Sequence, residues 1–189
     1  MDTSNAMRGS SNDILGLLKL VNFNFKSRTD LVMLEIGSYA GQSTECFYLS
    51  NKFKQIYCID PWSNYNDPGD FASYTNHLAE SEFDKRIANM ENIYKLKAFS
   101  YEIHELFQNE FFDLIYIDGC HTYEAVKQDI KLYRPKLKAD GVLAGHDFNL
   151  PGVNQAVIEL CSYNGGIATT NFEDSSWSIP KSLLINGAV

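Results

Sequence analysis

Five short apolar runs recur along the sequence, and four of them end at a glycine or an acid. The first, LVMLEI at 31–36, is apolar almost throughout and stops at Gly37. Such a run suits a strand covered on both faces, as inside a parallel sheet. QIYCID at 55–60, a run at 93–98, DLIYID at 113–118 and GVLAG at 141–145 repeat the pattern. Residues 41–50, 71–90, 101–107, 123–137 and 154–161 read as helices; in 123–137, Val126, Ile130 and Tyr133 share one face. A short amphipathic helix over 12–20 precedes the first strand, with Ile14, Leu17, Leu18 and Val21 at helical spacing.

Strands and helices alternating in series predict an α/β fold: a Rossmann-like, doubly wound, mostly parallel sheet with helices on both faces. Two extended segments near the end, GIATTNF and SSWSIPK, are joined by a turn. They bring the expected sheet to seven strands and supply an antiparallel C-terminal strand. Without a linker or an internal repeat, residues 12–189 read as a single domain. The polar stretch 1–11 lacks the apolar core of a signal peptide and is expected to be a tail, disordered or added by cloning.

Composition narrows the function classes. Sixteen basic against 24 acidic residues give a net charge of −8, and no Lys/Arg cluster stands out, so nucleic acid is not the expected partner. The longest apolar runs are strand-sized, so no membrane span is expected. Cys46, Cys58, Cys120 and Cys161 are scattered, which fits reduced thiols in a cytoplasmic protein.

Open parallel sheets bind ligands beyond the carboxyl ends of their strands, so the residues there carry the functional argument. After the first strand comes Glu35-Ile-Gly37-Ser-Tyr-Ala-Gly41-Gln-Ser43, a glycine turn that lets a ligand approach the backbone. Its spacing is not the G-x-G-x-x-G that places a pyrophosphate on a helix N-terminus. Asp60 ends the second strand, about 20 residues on, where such folds hydrogen-bond ribose hydroxyls. Asp118 ends the fourth strand and His146-Asp147 the fifth, and these strands are expected to be neighbours. Carboxylates gathered there without Arg or Lys repel one another, and a hard divalent cation would relieve that; backbone contact or capping by the same acids is the plainer alternative. His121 lies at the start of the following helix, whose positive end favours the neutral imidazole a general base needs.

The (E/D)-x-G-x-x-x-G turn and the acid ending strand two resemble the first two motifs of class I S-adenosylmethionine-dependent methyltransferases. FDLIYIDGCHTYEAVKQDI (112–130) and LKADGVLAGHDF (137–148) resemble the IDGxHxYE and GGxLAGHDF blocks of one small family among them. That family is related to the metal-dependent O-methyltransferases of macrolide sugars and catechols, and the resemblance covers roughly residues 30 to 180. It implies that Glu35, Gly37, Ser38, Gly41 and Ser43 line the methionine part of S-adenosylmethionine. Asp60 would hold the ribose, Trp62 would lie near the adenine, and Ser100 would touch it, with Asp118 beside the cofactor. The family's glycine before that serine is Ala98 here and its acidic neighbour is Phe99, which alters the adenine contact.

The resemblance also implies Mg²⁺ on Asp118 and Asp147, with His146 where relatives supply a third ligand. Nitrogen suits Mg²⁺ poorly, so the alternatives are two carboxylates plus water, or tolerance of Mn²⁺. His121 would be the base for O-methylation of a hydroxyl on a sugar, polysaccharide or secondary metabolite. A cofactor-binding module without transfer activity, a nucleotide-dependent oxidoreductase and a related hydroxylase-type protein are the rival readings. The aromatic loop with Trp62, Tyr65, Phe71 and Tyr74 would either cover the substrate or pack onto the sheet. An edge formed by the C-terminal segments could support a homodimer.

Overall fold

The computed structural model describes residues 11–163, 166–167 and 170–184. Helix α1 (Ser11–Phe25) is followed by β1 (Leu31–Ile36), α2 (Gln42–Leu49), β2 (Phe53–Asp60), α3 (Phe71–Ile87) and β3 (Ile93–Lys97). Then come the single-turn α4 (Ser100–Ile103), β4 (Phe112–Ile117), α5 (Tyr123–Tyr133), β5 (Leu137–Gly145) and α6 (Pro151–Cys161). The short strands β6 (Ser162–Tyr163), β7 (Gly166–Ile167), β8 (Thr170–Asn171) and β9 (Trp177–Pro180) follow.

The main sheet has the order β3-β2-β1-β4-β5-β9-β8. Strands β1 to β5 are parallel, and β9 runs antiparallel between β5 and β8. The chain winds outward first one way from β1 and then the other, so the order reverses between β1 and β4. A sheet wound this way leaves a crevice at the reversal, because the crossovers diverge on either side of it.

All six residues of β1 and all six of β4 are buried. Alternate side chains feed two cores, one on each face of the sheet. Val32, Leu34 and Ile36 join Val126, Ile130 and Tyr133 of α5 and Val153 of α6 on one face. Leu31 and Met33 join Leu17, Leu20 and Phe25 of α1, Phe47 of α2 and Phe83 of α3 on the other. Burying a side chain of this size contributes ~1.5–3 kcal/mol, so the two apolar layers hold the central strands in place.

The helix expected over 123–137 stops at Tyr133 and continues only as a 3₁₀ turn, Arg134–Lys136. Pro135 explains this: it has no N–H to donate to the carbonyl four residues back, and its ring crowds that carbonyl. Strand β5 begins at Leu137 rather than 141 because Leu137 already pairs with Phe112, across an irregularity in register. Residue 11 belongs to α1; the rest of the expected tail, 1–10, lies outside the described residues, as do 164–165 and 168–169 of the C-terminal segments. Among the described residues no helix is long and apolar enough to cross a membrane. Cys46, Cys58 and Cys120 are free thiols.

Candidate functional site

Strand register sets up the site. Ile59, Ile36, Ile117 and Gly145 are paired in a row across β2, β1, β4 and β5. The next residue on each strand, Asp60, Gly37, Asp118 and His146, therefore stands at the same level along the carboxyl edge. Two cavities open there, of about 270 and 200 Å³, and both are bounded by Gly37, Asp60, Tyr65 and Gly119. They form two lobes of one cleft that straddles the reversal point.

Gly37 is required by its surroundings. Its φ is 89°, and a Cβ there would lie 2.1 Å from the carbonyl oxygen of Asp118. Any side chain would push β1 and β4 apart where the cleft floor is made. Gly41 caps α2 with φ 82° and lies outside the lobe walls. Ser38, Gln42 and Ser43 line the larger lobe. Glu35 does not reach it: the side chain is fully buried beneath the turn, accepting hydrogen bonds from Ser38 Oγ at 2.8 Å and from Thr44 Oγ1. Its other oxygen, Oε1, has no partner among the described residues. Burial, opposed by its hydroxyl donors, raises the Glu35 carboxyl above the ordinary range.

Asp60 lies in the wall shared by the lobes. Its Oδ1 accepts from the Trp62 backbone N–H at 2.7 Å and Asn76 Nδ2 at 2.8 Å, and its Oδ2 accepts from the Tyr39 N–H at 2.9 Å. Three donors leave Oδ2 a lone pair for one more, which is what a ligand hydroxyl needs. Trp62 itself is only 2% exposed and packs at a tilt against Phe83 with its indole N–H on the Tyr39 carbonyl, so it supports the loop instead of lining a lobe. Of the other loop aromatics, Tyr65 lines both lobes, while Phe71 and Tyr74 are exposed.

The larger lobe also holds Asp118, His121, His146 and Asp147. His121 Nε2 lies 2.9 Å from Asp147 Oδ2, and His146 Nδ1 lies 3.2 Å from that oxygen and 3.8 Å from Asp118 Oδ1. Asp147 adopts φ 57°, a left-handed conformation that Asp tolerates better than most residues and that turns its carboxylate back onto both imidazoles. Asp118, His121 and Asp147 each offer a ligand atom, and these atoms lie within 4.8 Å of one another. His146 Nε2 is buried without a hydrogen-bond partner among the described residues.

The electrostatics follow from this crowding. Burial pushes the Asp118 carboxyl up to about 7, with Asp147 adding to the shift and His146 opposing it. Burial acts against charging His121 and His146, yet the surrounding carboxylates prevail and raise them to about 9 and about 10. For His121 the prevailing contacts are the hydrogen bond to Asp147 and the charge of Asp118. Asp147, although burial opposes it, is held well below the usual carboxylate range by its two imidazole donors. His121 thus differs from the neutral imidazole expected at a helix start. Thr122 caps α5, leaving His121 just outside the helix and between two carboxylates whose charges outweigh the helix end.

The second of those carboxylates is Asp67, which sequence reading left inside the loop. It is 3% exposed and accepts from both the backbone N–H of His121 at 2.8 Å and its Nδ1 at 2.9 Å. Asp67 also comes within ligating distance of Asp70 and His121. Ser100 lies in the smaller lobe, together with Phe99, Tyr101 and Asp129.

A sheet reversing at β1/β4, a glycine turn under one lobe and an acid at the end of β2 together define a class I S-adenosylmethionine-dependent methyltransferase. The chain belongs to the methyltransferase-domain family whose model matches residues 34–148, more than half its length. The uncharacterized protein R132 of Acanthamoeba polyphaga mimivirus is 25% identical over 150 residues, covering 72% of this chain and 64% of that protein. The fold resembles CalS11, a calicheamicin methyltransferase, with a TM-score of 0.66 at 13% identity over 95% of this chain and 82% of that one. The apo form of CalS11, described as a TDP-rhamnose 3'-O-methyltransferase, gives 0.61 at 15% identity over 95% and 83%. A protein of Corynebacterium glutamicum gives 0.61 at 15% identity over 98% and 88%.

Proposed function

We propose that this chain binds S-adenosylmethionine along the two-lobed cleft and transfers its methyl group to a hydroxyl oxygen brought to the Asp118–His121–Asp147 end. The reading rests on one observation: the acid and imidazole cluster opens into the same lobe as the Gly37–Ser43 turn. The methionine half of the cofactor occupies that lobe, Asp60 takes a ribose hydroxyl, and the adenine enters the lobe with Ser100. The acceptor O–H gives its proton to His121 as its oxygen bonds the methyl carbon, a role open to His121 only once a bound cation offsets the Asp118 and Asp147 charges that keep the imidazole protonated. The carbon–sulfur bond breaks in the same step, and S-adenosylhomocysteine leaves. Holding oxygen, carbon and sulfur in line is the main service of such a cleft.

Asp67 holds Nδ1 of His121, so Nε2, which lies 2.9 Å from Asp147 Oδ2, is the nitrogen that would take the proton once Asp147 turns to a cation. Two carboxylates whose ligand atoms converge, with no Lys or Arg among the residues lining either lobe, suit a divalent cation. Asp118 and Asp147 would hold Mg²⁺, or Mn²⁺ given the imidazoles alongside, and the ion would lower the pKa of a bound hydroxyl. The acceptor class we favour is a sugar, polysaccharide or secondary-metabolite hydroxyl, in keeping with the sugar named for CalS11.

Calorimetry with S-adenosylmethionine, S-adenosylhomocysteine and NAD⁺, each with Mg²⁺ and with EDTA, tests the reading. Micromolar binding of the two sulfur compounds and none of NAD⁺ supports it, and Asp118→Asn should then abolish methylation in an acceptor screen. A folded protein that binds neither sulfur compound sinks it.

A further inference from the structure

Proteins hold phosphate groups with Arg, Lys or the open N-terminus of a helix. Among the described residues lining either lobe of the cleft there is no Lys or Arg. The larger lobe sets Asp60, Asp70, Asp118 and Asp147 against the imidazoles of His121 and His146. Both imidazoles already face Asp147, at 2.9 and 3.2 Å. Asn76, 2% exposed on the wall of the same lobe, adds another acceptor. Its amide hydrogens go to Asp60 at 2.8 Å and to the Ser63 carbonyl at 3.3 Å, and its Oδ1 has no donor among the described residues.

Basic residues close by turn elsewhere. Lys97 is the register partner of Asp60 on β3, yet its Nζ bonds Glu80 at 2.5 Å. Arg86 packs beside Gly41 with Nε on the Ala40 carbonyl at 2.9 Å and Nη1 on Glu45. Lys127, between Ala125 and Gln128 of the smaller lobe, bonds Glu159 at 3.1 Å. Two helix starts at the cleft are closed as well. Asp70 puts its own carboxylate on the Ala72 N–H of α3 at 2.9 Å, and Thr122 accepts from the Ala125 N–H of α5 at 3.3 Å.

We infer that the methyl acceptor carries no phosphate near its reacting hydroxyl: it is a sugar already joined to its aglycone or chain, not a sugar nucleotide. The inference rests on the methyltransferase reading above, and it departs from CalS11, whose description names TDP-rhamnose. On that reading the uncapped start of α2 at Gly41 goes to the cofactor's own carboxylate. In a sugar nucleotide the diphosphate hangs one pyranose ring from the hydroxyls, closer than the ~10 Å over which salt screens charge. With a hydroxyl at His121, it stands among like charges with no partner to replace its lost hydration. A cation held by Asp118 and Asp147 is matched by that pair and leaves Asp60 and Asp70 unmatched. A glycoside brings only O–H donors and neutral oxygens, which suit a lobe rich in acceptors. Like charge and missing partners are how a site refuses the wrong ligand. Glycosyl transfer, which releases the nucleoside diphosphate, therefore supplies the substrate and precedes methylation.

The test is calorimetry of the full chain saturated with S-adenosylhomocysteine, at low salt where charge effects are largest. The probes are methyl rhamnoside, TDP-rhamnose and thymidine diphosphate. The methyl glycoside should bind at least about tenfold more tightly than TDP-rhamnose, and thymidine diphosphate should not bind at micromolar concentration. In Asp70→Lys, which reverses one charge on the lobe wall, thymidine diphosphate should gain at least about tenfold in affinity. TDP-rhamnose equal to or tighter than the glycoside, micromolar thymidine diphosphate, or no gain in Asp70→Lys would each overturn the inference while leaving the cofactor reading intact. If neither rhamnose compound binds, thymidine diphosphate decides, since it needs no particular sugar. A folded chain that does not bind S-adenosylhomocysteine defeats both readings. If Asp70→Lys does not fold, the wild-type titrations alone decide.

Discussion

Asp67, 54 positions earlier in the chain than His121, accepts on Oδ2 from both the backbone N–H and the Nδ1 of that histidine. The loop between β2 and α3 thereby fixes the orientation of an imidazole that β4 and α5 deliver. Residues that orient a functional imidazole in this way commonly affect activity by ~10–100-fold. Asp67→Asn should lower kcat/KM by that order, with S-adenosylhomocysteine affinity little changed. Calorimetry beside steady-state rates separates the two; an equal loss in both would assign Asp67 to cofactor binding instead.

Asp60 combines three protein donors with a place in both lobes. Asp60→Asn keeps the shape but turns one acceptor into a donor facing the Tyr39 or Trp62 N–H. The expected result is a loss of about 1–3 kcal/mol in cofactor affinity, measured calorimetrically. Unchanged affinity would mean that the ribose is bound elsewhere.

At Gly37, Ala substitution sets a Cβ against the Asp118 carbonyl and forces a side chain into φ 89°. Destabilisation by more than about 2 kcal/mol is expected in urea unfolding, large for one methyl group because backbone would have to move. A neutral result would show that β1 and β4 can separate at the cleft floor.

Asp129 should leave a signature in the pH dependence of stability. Its folded carboxyl titrates at about 7, against an ordinary value of 3.8. The folded state therefore holds the proton more tightly than the unfolded chain. That contribution is complete below about pH 4 and is lost as pH rises to about 7 and beyond. At about 1.4 kcal/mol per pKa unit the loss amounts to a few kcal/mol. Asp129→Asn should gain stability relative to the wild type between pH 5 and pH 8; parallel profiles for the two proteins would contradict this.

Much of the frame is written in apolar runs. LVMLEI at 31–36 marks β1 to the residue because burial on both faces makes every position but Glu35 apolar. Asp60, Asp118 and the His146-Asp147 pair are legible for a related reason: they are the first polar residues after buried strands, so the sheet carries them to its edge. Asp67 was not legible, since a loop rich in Pro, Gly and Asn does not disclose how far it folds back. Asp129 carried a visible signal, an acid on the apolar stripe of α5, which the pattern Val126, Ile130, Tyr133 had already outlined. The family resemblance puts Trp62 near the adenine, but its size and apolar character take it into the core beside Phe83.

Strand β9 bears on how the site is completed. Trp177 pairs with Gly145 and donates its indole N–H to the carbonyl of His146 at 3.1 Å. The last strand of the parallel set thus acquires its outer neighbour from a segment that follows every helix. During synthesis the Gly37 turn and Asp60 can assemble while β9 is still inside the ribosome. His146 and Asp147 lack their brace until that strand emerges, so the Gly37–Asp60 side of the cleft should precede the His146–Asp147 side in folding.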